Sequence, residues 1–251
     1  MRLVRILHDG SPRYARAEGD TLFILDGEDL MSLRLSGARI PAAGARFLAP
    51  AAPSKVVAVG LNYRDHAREM GEDLPAEPKL FLKPSTSVIG PGEAIVLPPE
   101  SRRVDYEAEL ALIVGRRARR IPPAEAENYI LGYTCLNDVT ARDLQAKDGQ
   151  WTRAKSFDTF CPLGPAIETK LDPRALRLEA RVNGAVRQAS STANLIFSAQ
   201  EIFSFVSHVM TLLPGDVIAT GTPPGVGPLA PGDLVEVEIE GIGTLVNPVV
   251  N

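Results

Sequence analysis

Three carboxylates fall on alternate positions in the stretch VDYEAELALIV: Asp105, Glu107 and Glu109. In an extended chain the side chains at i, i+2 and i+4 leave from one face, so these acids would stand side by side. A positive partner is expected among them. The same alternation also describes the wet face of an edge strand, and the C-terminal run VEVEIE shows this chain using that device. Against the wet reading, the strand continues as LALIVG with no polar residue on either face, which draws its start towards the interior. Carboxylates buried there need a cation or hydrogen-bonded partners.

A further acid, Asp138, ends the apolar run LGYTCLN. Taken alone it reads as a helix N-cap. Counted in helical phase, Asp138, Arg142 and Gln145 lie at i, i+4 and i+7 on one face. That would set a metal on the acid and a substrate carboxylate on the forked guanidinium. Ligands that are all carboxylate oxygens select a hard cation, Mg²⁺ first with Mn²⁺ or Ca²⁺ admitted, over zinc or copper.

His66 and Glu69, in NYRDHARE, are neighbours at i and i+3 if the segment is helical, and a histidine oriented by a carboxylate can serve as a general base. His8 and His208 carry no such partner in the sequence and are read as ordinary surface or core residues. Lys155 lies in WTRAKSFDTF among aromatics; at the surface it would do nothing, but buried it would stabilise a developing enolate or a carboxylate. The run TGTPPGVGP lacks the ending of a phosphate loop and follows no βαβ unit. A turn whose N–H groups and Thr222 hydroxyl hold an anionic carboxylate is the better use of it.

These residues need a scaffold, and 21 prolines and 21 glycines spread as punctuation through 251 residues predict short strands joined by tight turns. Residues 1 to about 50 read as short strands closing on the Pro/Ala-rich PAAGARFLAPAAPS, which divides a small N-terminal β-rich domain (1–52) from a main domain (53–251). KVVAVGLN reads as a buried strand, NYRDHAREMGED as a helix capped by Gly71, and DYEAELALIVG as one continuous strand. The apolar stripe of SAQEIFSFVSHVMTLL predicts a helix over 198–213, opened by a Ser198/Glu201 capping box and closed by Pro214-Gly215. The fold class is α+β, mostly β, on a rolled or barrel-like β core.

A net charge of −4 gives no support to a nucleic-acid partner, and the two cysteines have no metal-type or disulfide spacing, which suits a reducing cytoplasm. No apolar run approaches the ~20 residues of a membrane-spanning helix. A soluble, cytoplasmic protein is expected.

Six ordered blocks, VGLNYRDHARE, FLKPSTSVIGPGEAIVLP, VDYEAELALIVG, GYTCLNDVTARDLQ, WTRAKSFDTFCPLGP and LLPGDVIATGTPPGVG, resemble the fumarylacetoacetate hydrolase superfamily in its short acylpyruvase-like branch. The resemblance covers about residues 55 to 250. It implies a homodimer, the family's β-roll, and a divalent cation, usually Mg²⁺, on Glu107, Glu109 and Asp138. It also implies His66 and Glu69 as a catalytic dyad on a lid segment, Lys155 beside the enolate oxygen, and Arg142, Gln145 and Thr222 holding substrate oxygens. The expected substrate is a small 2-oxo or 2-hydroxy-dienoic dicarboxylic acid. The expected reaction is acylpyruvate C–C hydrolysis or 2-hydroxyhepta-2,4-diene-1,7-dioate isomerisation in aromatic-compound breakdown. Oxaloacetate-type decarboxylation and a non-catalytic binding protein are the alternatives.

Overall fold

A computed structural model describes residues 1–27 and 29–251. The chain opens with β1 (Arg2–His8), β2 (Ser11–Glu18), β3 (Thr21–Asp26), β4 (Arg34–Pro41) and β5 (Arg46–Leu48). The first hairpin turns on Asp9-Gly10, both at positive φ, the two-residue geometry whose twist matches that of the flanking strands. Val4, Ile6, Leu22 and Ile24 bury a small core there against Ala166. Strand pairing nevertheless crosses position 52, because β1 also pairs with a strand of the following unit, matching Leu3 with Ile167.

That unit contains β6 (Val56–Val59), α1 (Arg64–Met70), β7 (Leu80–Lys83), β8 (Val88–Ile89), β9 (Ile95–Val96), β10 (Val104–Tyr106), β11 (Ala108–Val114), β12 (Ile130–Asn137) and β13 (Thr140–Ala141). It continues with α2 (Arg142–Asp148), α3 (Thr152–Lys155), β14 (Cys161–Glu168), β15 (Arg177–Val182), β16 (Ala185–Ser191) and α4 (Ala199–Val209). β17 (Val217–Ala219), β18 (Gly227–Pro228), β19 (Leu234–Ile239) and β20 (Gly243–Val250) complete it. The large sheet runs β4-β3-β2-β1-β14-β12-β11-β17-β6-β7, with β5 and β8 attached to β1 and β14. A second sheet, β16-β15-β19-β20-β9, packs across β11, β12 and β14, and β13-β10-β18 forms a small third. The fold is mostly β, as its turn-rich sequence predicts.

The main core lies between the two larger sheets, where Leu110, Leu112, Ala180, Val237 and Leu245 lose essentially all contact with water. β11 is buried along its whole length because Leu110, Leu112 and Val114 face the core between the two larger sheets while Ala111 and Ile113 face a second apolar cluster on the other side, which is why LALIV carries no polar residue on either face. In β19 the alternation resolves as expected, with Val235, Val237 and Ile239 buried and the intervening glutamates wetter.

Two elements differ from expectation. DYEAELALIVG is not one strand: β10 and β11 belong to different sheets and the chain breaks at Glu107. The helix expected over 198–213 has the Ser198/Glu201 capping box but ends at Val209, because Met210 turns back to extended geometry. Ala118 and Leu212 then exchange two backbone hydrogen bonds of 3.0 Å. This bridge supplies partners that another helical turn would have to replace, and it leaves Val209 and Leu213 exposed.

Candidate active site

The β11/β12 register assembles the centre of the site. Ala108 faces Asn137, and one step further the Asp138 N–H donates to the Glu107 carbonyl at 2.8 Å, so Glu107 and Asp138 sit across from each other. Glu109, two residues along from Glu107, projects to the same side. One oxygen from each of Glu107, Glu109 and Asp138 lies within 4.8 Å of the other two, and all three residues are buried. The break at Glu107 leaves backbone donors without ladder partners, and side chains take them. The Glu107 N–H donates to Asn137 Oδ1 and the Ala108 N–H to Gln188 Oε1, each at 2.9 Å.

Asp105 does not join this group. It is fully buried, and its carboxylate accepts from Arg103 Nε and Arg142 Nε, each at 2.9 Å. Nor does Asp138 share a helical face with Arg142 and Gln145, since α2 begins only at Arg142 after the short strand β13. Arg142 reaches the site by bridging the two strand segments: beyond Asp105 it donates to Glu107 Oε1 at 2.5 Å and to Gln145 Oε1 at 2.7 Å. Its fork therefore rests on protein acceptors here.

Lys155, at the end of α3, is buried and donates to Glu107 Oε2 at 2.9 Å and Asp138 Oδ2 at 2.5 Å, with its ammonium 4.9 Å from the Phe81 ring centre. A second lysine was invisible to sequence reasoning. Lys83, fully buried at the end of β7, donates to Asp138 Oδ1 at 2.6 Å and to the Val139 carbonyl at 3.2 Å. The available signal was a lone charge in FLKP among apolar neighbours beside a proline.

Burial pushes the Glu107 carboxyl up, but Lys155 and Arg142 outweigh it and hold the group at about 2. Burial also opposes the charge on Lys155, which Asp138 and Glu107 more than restore, so its ammonium is raised. Glu109 is the exception. Burial, then Asp138 and Glu107, lift its carboxyl well above the ordinary carboxylate range, and Lys155 and the Gly221 N–H only partly offset them. Among the described residues no lysine or arginine forms an ion pair with Glu109; its one hydrogen bond comes from Gly221 N–H at 2.7 Å.

The glycine-rich turn after β17 thus holds a carboxyl group, but it is the protein's own Glu109. Gly221 has φ +96°, and a Cβ there would stand 2.9 Å from Cβ of Asn62, so glycine alone lets its N–H reach the carboxylate. The Thr222 hydroxyl donates to the Ala108 carbonyl at 2.9 Å and accepts from Gln188 Nε2 at 2.8 Å. Gln188 and Asn62 are the fully buried amides that lock this corner, and nothing in their local sequence marks them. Asn62 Nδ2 donates to the Thr220 and Phe197 carbonyls at 2.7 and 3.1 Å.

His66 lies on α1, which Gly71 caps in the left-handed conformation. Its Nδ1 is 2.8 Å from Glu69 Oε2, and Glu69 Oε1 accepts the Gly225 N–H at 3.3 Å. A cleft of about 290 Å³ joins these parts, lined by His66, Glu107, Glu109, Asp138, Lys155, Arg142, Gln145 and Thr222, with Phe81, Trp151 and Lys79 on its walls. His8 lies apart on β1, and His208 Nδ1 faces the Ser204 carbonyl of its own helix.

The centre fits a divalent cation. Three carboxylate oxygens converge at a buried point, and one carboxylate there has two like-charged neighbours and no cation of its own. An all-oxygen anionic donor set is what a hard ion requires. Among the described residues no helix is long and apolar enough to cross a membrane.

The chain matches the family described as "Fumarylacetoacetate (FAA) hydrolase C-terminal" over residues 55–250, and "Rv2993c-like, N-terminal" over residues 1–50. It is 48% identical to a solved 5-carboxymethyl-2-hydroxymuconate delta-isomerase from Mycobacterium smegmatis, with a TM-score of 0.94 over 100% of this chain and 99% of that one. It is 45% identical to the mitochondrial oxaloacetate tautomerase Fahd2a of Rattus norvegicus over 84% of this chain and 71% of the relative. It is 32% identical to maleylpyruvate hydrolase from Sphingobium sp. SYK-6, solved with manganese(II) and pyruvate, with a TM-score of 0.83 over 100% and 99% of the two chains. With the family match spanning the strands, turn and helices that assemble the carboxylate cluster, the chain belongs to the fumarylacetoacetate hydrolase superfamily.

Proposed function

We propose that this protein is a metal-dependent enzyme that moves protons on small 2-oxo acids, interconverting their keto and enol forms or shifting a conjugated double bond. The observation that carries this reading is a histidine held by a glutamate on the same cleft as three converging buried carboxylates. Glu107, Glu109 and Asp138 would hold a divalent cation, Mg²⁺ or Mn²⁺, which when bound supplies a Lewis acid for the carboxylate and 2-oxo group of the substrate.

The chain's own residues supply the rest. A proton on His66 Nδ1, donated to Glu69, leaves Nε2 as the base. Nε2 takes the proton from the carbon beside the 2-oxo group, and the electron pair of that C–H bond becomes the enolate double bond. Negative charge then develops on the 2-oxygen, where the Lys155 ammonium, already desolvated and fixed by two carboxylates, needs no reorganisation to meet it. Return of the proton to oxygen, or to a more distant carbon of a conjugated chain, completes tautomerisation or isomerisation. Arg142 keeps Glu107 in place from the outer side, and Gln145 and Thr222 border the space for substrate oxygens.

Carbon–carbon hydrolysis is the second reading, favoured by the similarity to maleylpyruvate hydrolase. There the same His66 would take a proton from water attacking a distal carbonyl. The test is exchange of solvent deuterium into the carbon beside the oxo group of pyruvate and oxaloacetate, followed by NMR with and without Mg²⁺, alongside cleavage of acetylpyruvate. Metal-dependent exchange that His66→Gln abolishes while pyruvate still binds is the expected result. A wild-type protein that exchanges no faster than buffer in Mg²⁺ and in Mn²⁺ refutes the proposal.

A further inference from the structure

The cleft contains one cation that the chemistry above does not use. Lys155 is committed to Glu107 and Asp138, and Arg142 to Asp105 and Glu107. Lys79 also lines the cleft, yet among the described residues its ammonium has no carboxylate within ion-pairing distance. It lies instead over the Trp151 ring, 5.0 Å from the centroid. Its backbone is fixed, because the Lys79 carbonyl accepts the Gly60 N–H at 2.8 Å as β6 and β7 begin to pair. Gly60 is itself closed over by the indole, since a Cβ there would meet Trp151 at 3.3 Å.

These residues continue a track that starts at the carboxylates. The Lys155 ammonium lies 4.9 Å from the Phe81 ring, Phe81 meets Trp151 edge-to-face at 5.2 Å, and Lys79 lies 5.0 Å from the far ring. Two aromatic walls running from the carboxylates that would hold the cation to an ammonium without an ion pair among the described residues suit a flat, apolar chain that is anionic at both ends, its near end meeting the cation and its far end Lys79. We propose that Lys79, seated on Trp151, is the residue that receives the remote carboxylate of a 2-oxo diacid and so discriminates such acids from 2-oxo acids with neutral tails. This rests on the 2-oxo acid reading above and adds to it the feature that recognises the remote end. Lys79 is exposed at the cleft mouth, as are Glu72 and Asp73, so water screens all three; what sets Lys79 apart is the Trp151 ring beneath its ammonium.

Trp151 is the chain's one tryptophan, so its fluorescence reports binding without turnover. The experiment titrates the full-length protein in Mg²⁺ with pyruvate and with two matched pairs, 2-oxoadipate against 2-oxohexanoate and 2-oxopimelate against 2-oxoheptanoate. The wild type should favour a diacid over its partner by about two- to fivefold, the worth of one ion pair at an exposed lysine. Lys79→Gln should remove that preference while leaving pyruvate and the monoacids unchanged, and Lys79→Arg should keep it. Wild-type protein that binds pyruvate but shows no diacid preference, prefers the neutral tail, or keeps its preference in Lys79→Gln overturns the subsite alone. Wild-type protein that binds no 2-oxo acid overturns both the subsite and the function on which it rests.

Discussion

Replacing Glu109 by glutamine should make the metal-free protein more stable and destroy its response to metal. Glu109 is 1% exposed, accepts one hydrogen bond, and shares its surroundings with two other carboxylates within 4.8 Å. At that separation each like-charge pair costs about 3 kcal/mol with an effective dielectric near 20. Lys155 offsets part of this, and protonation of Glu109 relieves more of it. A glutamine keeps the acceptor for Gly221, removes the repulsion, and adds N–H donors beside two acceptor carboxylates. The net gain should be about 1–3 kcal/mol, or about 2–4 °C of melting temperature per kcal/mol for a domain of this size.

The assay is calorimetric melting with EDTA and with Mg²⁺ at several pH values. Mg²⁺ at a hundredfold its dissociation constant should add about 2.7 kcal/mol to the wild type and nothing to the variant. Because the folded carboxyl of Glu109 is raised, its contribution is fully present below the unfolded glutamate range and is lost as pH rises through the folded value. Metal-free wild type should therefore lose stability over that interval, and Glu109→Gln should lose less. A variant that melts below the wild type in EDTA, or still gains from Mg²⁺, would refute the reading of Glu109 as a buried carboxyl without a cation partner.

Lys83→Met removes one of two buried cations from Asp138 and strands the Val139 carbonyl. With Lys155 still in place, the expected loss is about 2–3 kcal/mol in urea unfolding, and a change under about 0.5 kcal/mol would show that the pair contributes nothing. Cys135 and Cys161 are both buried, and burial raises both thiols, that of Cys161 to about 12. Neither should react with a disulfide reagent at pH 8 until the protein unfolds, and a native-state reaction with even one thiol would contradict this packing.

The neighbours Glu107/Glu109 and His66/Glu69 were legible from local periodicity, i+2 and i+3, although the same i+2 count also drew in Asp105, which pairs with Arg103 and Arg142 instead. Asp138 was found with the wrong geometry: the helical count joined it to Arg142, whereas the structure joins it to Glu107 through antiparallel register. Register depends on which strands pair, which no local period encodes. Lys83, Gln188 and Asn62 were missed for a related reason. Each is a single polar residue whose partners lie far along the chain, 55 residues away for Lys83 and Asp138 and 158 for Asn62 and Thr220. The break at Glu107 was hidden because VDYEAELALIV is well patterned on both sides of it.

That break also explains why such an expensive cluster persists. Buried ion pairs are often less stabilising than apolar packing of the same volume, so stability alone would favour filling this space with aliphatic side chains. The sheet instead ends its ladder early, and Asn137 and Gln188 take the freed N–H groups so that the backbone does not move. Arg142 and Lys155 then hold Glu107, Lys83 and Lys155 hold Asp138, and among the described residues Glu109 stands beside them with only the Gly221 N–H. Two of them are matched to cations and the third is not. An arrangement selected for stability would match all three or none, whereas leaving one unmatched beside an open cleft keeps a place for positive charge that arrives from outside the chain.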